Sequence, residues 1–266
     1  MSRMRHGLVD LEVGEDGVAV VELVNPPANA YSHEMMRDLD DAIVEARFDP
    51  RVQVIVLRGH GSRFFCAGAD IAMLERADPR WKYEFCLHAN ETLLRLEQTA
   101  RLVIAAIEGH CVGGGLEIAL AADLRVAAAG TGKIGLPEVT LGVLPGTGGT
   151  QRLARLVGPS RAIELMAEGQ LWSFEQAHAM GLVNHVWPAE GFAERVRQYA
   201  RRFCAPERAS LAVGLLKRAV RSGLEAGLLE GLALERELQQ RLFVSRDAAE
   251  GLAAFVQKRR PVFEGR

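Results

Sequence analysis

Three short aliphatic runs constrain the fold more than any other feature. They are VQVIVL (52–57), LVIAAI (102–107) and DLRVAA (123–128). Such runs carry apolar residues at neighbouring positions rather than at alternate ones, so both faces of each strand need cover. Between them lie helix-like stretches, and this alternation predicts α/β layering. Upstream, LVDLEV and VAVVEL flank Gly14-Glu15-Asp16-Gly17 and read as a hairpin over 8–24. Ser32 is placed to cap a helix in which Met35, Met36, Leu39, Ile43 and Ala46 share one face. Beyond about residue 145 the pattern becomes helical, interrupted by GLVNHVW (181–187). Pro206 suits a first helical turn over 206–222, and Ser245 suits a cap for 245–259. Leu211, Leu215 and Ala219 form one stripe, and Leu224, Leu228, Leu238 and Leu242 another.

Bulk properties exclude several classes. A chain of 266 residues with net charge −2 offers no electrostatic reason to bind nucleic acid or an anionic membrane. Cys66, Cys86, Cys111 and Cys204 form no C-x-x-C pair, so neither a disulfide framework nor a zinc knuckle is expected. No metal site is expected. No run is long enough to span a bilayer, and a soluble, cytoplasmic protein is expected.

CVGGGLEIAL (111–120) concentrates the functional question. A strand, LVIAAI, is followed by three glycines and a helix opening near Leu116, with Glu117 just inside. Free N–H groups at a helix start attract negative charge, and glycine lets backbone approach a ligand. Close packing of helix on strand asks for the same residues. A dinucleotide fingerprint fails because its last glycine position is Ile118, and GTGK (130–133) lacks the rest of a P-loop. An oxyanion site remains. RFFCAGADIAML repeats the strand–loop–helix arrangement around Gly68, with a short helix near Asp70. GLPEVTLGVLPGTGGTQRL supplies a second carboxylate, Glu138, between Pro137 and apolar residues, where desolvation raises a carboxyl pKa. Cys66, Cys111, His110 and Asp123 read as structural.

AGAD (67–70), GGGLE (113–117) and PE-VTLG-LPG-GGTQRL (137–153) together resemble the enoyl-CoA hydratase/isomerase, or crotonase, family over nearly the whole chain. The resemblance implies a spiral of ββα units over 1–200 and a C-terminal helical oligomerisation region over 201–266. It implies hydration of a 2-enoyl-CoA, with coenzyme A as part of the substrate and no separate cofactor. Backbone N–H groups of Ala69 and Gly114 would hold the thioester oxygen, while Glu117 and Glu138 would act on water and on the α-proton. Gly146 would help to hold the water. Ala28, Ala67, Asp70, Ile71 and Trp81 would surround the substrate, and Phe255 and Lys258 would reach a neighbouring subunit's CoA in a homotrimer or homohexamer. Isomerisation, another CoA-thioester lyase reaction and non-catalytic thioester binding are the alternatives. Two departures from the commonest family pattern stand out. NPPANA is one residue shorter, and AAAGTGKIGLPE is one residue longer.

Overall fold

The computed structural model describes all residues, Met1–Arg266. The elements in chain order begin with strands β1 (Ser2–Arg3), β2 (Val9–Val13) and β3 (Val18–Leu23), then helix α1 (His33–Phe48), β4 (Val54–Gly59), β5 (Phe64–Cys66), α2 (Ile71–Arg76) and α3 (Pro79–Gln98). There follow β6 (Leu102–Ile107), β7 (His110–Val112), α4 (Gly114–Leu120), β8 (Leu124–Ala128), β9 (Ile134–Gly135) and a 3₁₀ turn (Glu138–Leu141). The remainder is α5 (Gly149–Val157), α6 (Pro159–Glu168), α7 (Phe174–Ala179), β10 (His185–Trp187), α8 (Phe192–Arg201), α9 (Ser210–Gly223), α10 (Leu228–Phe243) and α11 (Arg246–Val256).

Two sheets result. The larger runs β1-β2-β3-β4-β6-β8-β10, antiparallel through β3 and parallel from β3 to β10. The smaller, β5-β7-β9, is parallel. Each ββα unit gives one strand to each sheet: β4 and β5, β6 and β7, β8 and β9. The aliphatic strands are indeed covered on both faces. Ile55, Leu57, Val103, Ala105 and Ile107 join the core under the helices, whereas Val54, Val56, Ile104 and Ala106 pack against Phe192, Val196 and Ala200 of α8.

The expected hairpin forms around Gly14 and Gly17, and Ser32 accepts from the Met35 N–H to start α1 on its buried stripe. Ser245 caps α11 in the same way. β4 begins two residues later than expected because Val52 N–H is used by the Asp49 turn. Only His185–Trp187 of GLVNHVW is a strand.

Pro206 is not in a first helical turn. α9 starts at Ser210, and the Pro206 carbonyl instead accepts from Phe263 of the returning C-terminal tail. The second leucine stripe also breaks up. Leu238 is buried, Leu224 lies in the turn between α9 and α10, and Leu228 is 77% exposed. No helix is long and apolar enough to cross a membrane.

Candidate active site

The small sheet explains the location of the site. Its three strands are parallel, so their C-terminal ends lie at one edge, where open α/β sheets present their ligand crevices. β5 runs into Ala67–Asp70, β7 into Gly113-Gly114, and β9 into Leu136–Glu138. A Cβ built on Gly68 would stand 3.3 Å from the Gly114 nitrogen, so the first two loops touch. The bridge between Tyr31 and the AGAD loop uses the Gly68 carbonyl and the Asp70 N–H, leaving out the Ala69 N–H. Gly114 opens α4, where no preceding turn supplies an acceptor. Two backbone N–H groups, of Ala69 and Gly114, are therefore left without an acceptor on adjoining loops.

The three glycines have separate reasons. Gly113 takes φ +58, and a Cβ there would meet Glu138 Oε1 at 3.0 Å. A Cβ on Gly114 would overlap the Tyr31 ring, and one on Gly115 would overlap the Cys66 carbonyl. At Gly114 the side-chain direction is filled by Tyr31, so close packing by itself requires the missing Cβ, beside the expected approach of a thioester.

Glu117 and Glu138 come together, but in unlike surroundings. Glu117 is 2% exposed. Its Oε1 accepts from Thr147 N–H (2.8 Å) and Gly149 N–H (2.7 Å), and its Oε2 accepts from the Thr147 hydroxyl. Gly149 begins α5, so the positive end of that helix also faces this carboxylate. Burial pushes the Glu117 pKa up, against those hydrogen bonds and the Arg152 charge. Glu138 Oε2 is buried without a hydrogen-bond partner. Burial first, with repulsion from Glu117 in addition, pushes the Glu138 pKa up to about 7.

Around this pair, Gly146 and the half-buried Cys86 are neighbours. A Cβ on Gly146 would stand 3.3 Å from Cys86 Sγ, and Asn90 Nδ2 donates to the Gly146 carbonyl. Ala67 N–H bonds the Ala28 carbonyl at 3.0 Å, which ties those two loops together. Asp70 caps α2 by accepting from Met73 N–H, and Ile71 is exposed. Trp81 stacks on Phe85 (5.4 Å, 8°), and Phe85 on Tyr31 (5.6 Å, 23°); the Tyr31 hydroxyl lies 3.3 Å from Thr147 Oγ1.

Cys66 and Cys111 are buried packing residues, with the Cys66 thiol pushed up to about 12 by burial. Asp123 is structural too, accepting from the Val103 N–H and pairing with Lys217. Phe255 and Lys258 are not brought to the pair. They lie at the end of α11, which packs on α10 and the C-terminal tail. Tyr31, Thr147, Gly149 and Arg152 were missed by sequence reasoning. GTGGTQR, a glycine turn opening a helix, was the available signal for the last three.

Interleaved ββα units, with two loop N–H groups and two carboxylates at one sheet edge, define a crotonase-type α/β fold. The chain matches the enoyl-CoA hydratase/isomerase family over residues 14–266 and belongs to that family. It is 35% identical to the crotonyl-CoA hydratase of Syntrophomonas wolfei, covering 94% of this chain and 95% of that protein. It is 37% identical to the enoyl-CoA isomerase/hydratase fer4 of Mycosarcoma maydis, covering 94% and 93%. Among solved structures, the enoyl-CoA hydratase of Geobacillus kaustophilus HTA426 superposes with a TM-score of 0.94 at 46% identity, covering 97% of each chain.

Proposed function

We propose that this chain adds water across the double bond of a 2-enoyl-CoA thioester to give a 3-hydroxyacyl-CoA. The observation that carries the reading is the unequal pair. Glu117 receives three hydrogen bonds, whereas Glu138 Oε2 receives none and its pKa stands near 7. Environments that separate two acids in this way divide a base from an acid. Glu117 takes a proton from water while the water oxygen bonds to the β-carbon. The double-bond electrons move to the thioester oxygen, where the Ala69 and Gly114 N–H groups hold the enolate charge. Loss of one such donor typically costs about 3–4 kcal/mol of barrier. Protonated Glu138 then gives its proton to the α-carbon, and the proton that Glu117 took from water passes to Glu138, which restores both groups for the next turnover. The Gly146 N–H helps to orient the water.

Purified protein should bleach the conjugated-thioester absorbance of crotonyl-CoA. Growth of that band from a 3-enoyl-CoA, without bleaching of crotonyl-CoA, would replace hydration by isomerisation. Tight binding with neither change would leave only a thioester-binding protein.

The same reading includes assembly. Leu224, Leu228, Leu229, Phe243, Val244, Phe255 and Val256 are all more than 60% exposed, more apolar surface than a monomer ordinarily shows water. This supports a homotrimer or homohexamer in which Phe255 and Lys258 reach a neighbour's CoA. Of the three consecutive cations, Arg259 pairs with Glu250 and Arg260 with Glu207, while Lys258 has no carboxylate partner. Lys258→Ala should raise KM for CoA thioesters with kcat nearly unchanged, because phosphate binding is alike in ground and transition states. The effect should vanish with a pantetheine thioester. Equal loss on both substrates, or a monomer by light scattering, would remove Lys258 from the CoA site.

A further inference from the structure

From the Thr147 turn that holds Glu117, a run of largely buried charges that the proposed chemistry does not use leads to α9. Arg152, in the first turn of α5, points back under its own helix start. Its Nη1 donates to the Thr147 carbonyl at 3.0 Å, and its Nη2 to Glu97 Oε2 of α3 at 2.8 Å. Both side chains of that pair are nearly closed to solvent, at 13% and 12% exposure. Thr147 is the residue whose N–H and hydroxyl both serve Glu117. One residue thus presents two donors to the carboxylate and its carbonyl to Arg152.

The local backbone is shaped for this contact. Gly148 takes φ +109, and a Cβ there would overlap the Arg152 guanidinium. Glycine at 148 is therefore what lets the cation reach the Thr147 carbonyl. The arrangement also has a cost, since the Arg152 Nε–H is buried without an acceptor. A surface ion pair would incur no such cost.

The run continues to the C-terminal helices. Glu97 is shared with Arg221 of α9 (3.2 Å), Arg221 also pairs with Asp123 (3.3 Å), and Asp123 pairs with Lys217 of α9 (2.8 Å). Lys217 further donates to the Arg101 carbonyl at 2.9 Å. From Glu117 to α9, three carboxylates therefore alternate with three cations through the interior. Removing Glu97 leaves Arg152 without a carboxylate partner, whereas removing Arg152 leaves Glu97 to Arg221 alone.

We propose that Arg152, held from α9 through Glu97 and Arg221, is a positioning residue that keeps the Glu117 carboxylate charged and aimed by clamping the Thr147–Gly149 turn. The proposal rests on the reading of Glu117 as the base that activates water. The titratable and charged groups facing Glu117 are Tyr31 ahead of α1, Cys86 of α3, Glu138 of the 3₁₀ turn and Arg152 of α5. Arg152 is the one cation in that set, so its removal has a definite sign.

The test is the pH dependence of kcat/KM for crotonyl-CoA, which reports apparent values of the coupled Glu117–Glu138 pair. Arg152→Gln removes the cation, so the acidic limb should move to higher pH. kcat should also fall by up to about a hundredfold as the turn loosens. Glu97→Gln keeps an acceptor for Arg152 but removes a negative charge, so the limb should move the other way. Arg152→Lys should keep the limb near its parent position while lowering kcat, because lysine keeps the charge and loses the two-pronged contact. Where Arg152→Gln does not fold, Arg152→Met with Glu97→Leu removes both charges and should give the upward movement. If Arg152→Gln lowers turnover by one factor at every pH, with the limb in place, the proposal is overturned. Glu117→Gln in the same assay separates the two readings. Parent activity there removes Glu117 as the base, and the proposal falls with it. Inactivity there, with an unmoved limb in Arg152→Gln, sinks only the role of Arg152.

Discussion

Glu138→Gln is expected to lower hydration of crotonyl-CoA by about 10²–10⁴-fold, the usual scale for a positioned acid–base group. Glu117→Gln should lose a similar factor. Neither change should unfold the chain. At 117, the glutamine carbonyl can accept from Thr147 N–H and Gly149 N–H, and the Thr147 hydroxyl can turn to accept from the new amide. At 138, one oxygen has no partner in the parent, so nothing is broken there. The two variants should differ in stability. The folded Glu138 pKa stands near 7, above the value of about 4.3 for an unfolded chain. Below the lower value both states hold the proton and the charge cost is absent. Between the two values the unfolded chain ionises first, so the parent loses stability as pH rises; above about 7 the loss is complete. Glutamine cannot ionise. Glu138→Gln should therefore melt at a higher temperature than the parent at pH 8 and near the parent at pH 4. Thermal melts at both pH values, beside rates on crotonyl-CoA, check this. Parent-like hydration in either variant removes the two-carboxylate mechanism, and an unchanged melting difference across pH removes the desolvated state of Glu138.

The sequence exposed the parts of the site that rest on long or distinctive local patterns. LVIAAI is apolar on every residue and VQVIVL on all but Gln53, and that pattern requires the two covered faces found on β4 and β6. Ser32 announces α1 because a capping hydroxyl precedes a stripe of period 3.6. The small sheet was illegible. Its strands have three, three and two residues, too few for any period to show, yet they bring Ala69, Gly114 and Glu138 to one edge. Tyr31 and Thr147 were hidden for a different reason. Their roles come from contacts across more than one hundred positions of chain, Tyr31 hydroxyl to Thr147 Oγ1, which no local pattern encodes. Pro206 misled because proline suits both a first helical turn and an irregular turn, and the tail residue that takes its carbonyl lies 57 positions away.

Gly114→Ala is the second change with a large expected effect, and the reason lies in Tyr31. The new methyl would fall on the Tyr31 ring, which is 2% exposed and stacked on Phe85. The ring cannot turn outward, so it must move toward Thr147, which it meets through its hydroxyl. Overpacking of this kind typically costs about 1–3 kcal/mol, or a few degrees in melting temperature per kcal/mol for a chain of this size. Thr147 supplies two of the three hydrogen bonds to Glu117, so displacement of this turn should lower kcat by about a hundredfold. Tyr31→Leu in the Gly114→Ala background removes the overlapping ring edge. The double variant should therefore melt above Gly114→Ala, a departure from additivity that marks direct contact. Its rate should stay low, because leucine cannot meet the Thr147 hydroxyl. Melting curves and crotonyl-CoA kinetics of the two single variants and the double decide between two reasons for the glycine. If it makes room for Tyr31, stability returns with the smaller partner. If it makes room for the thioester, Gly114→Ala melts with the parent, KM rises, and Tyr31→Leu restores nothing.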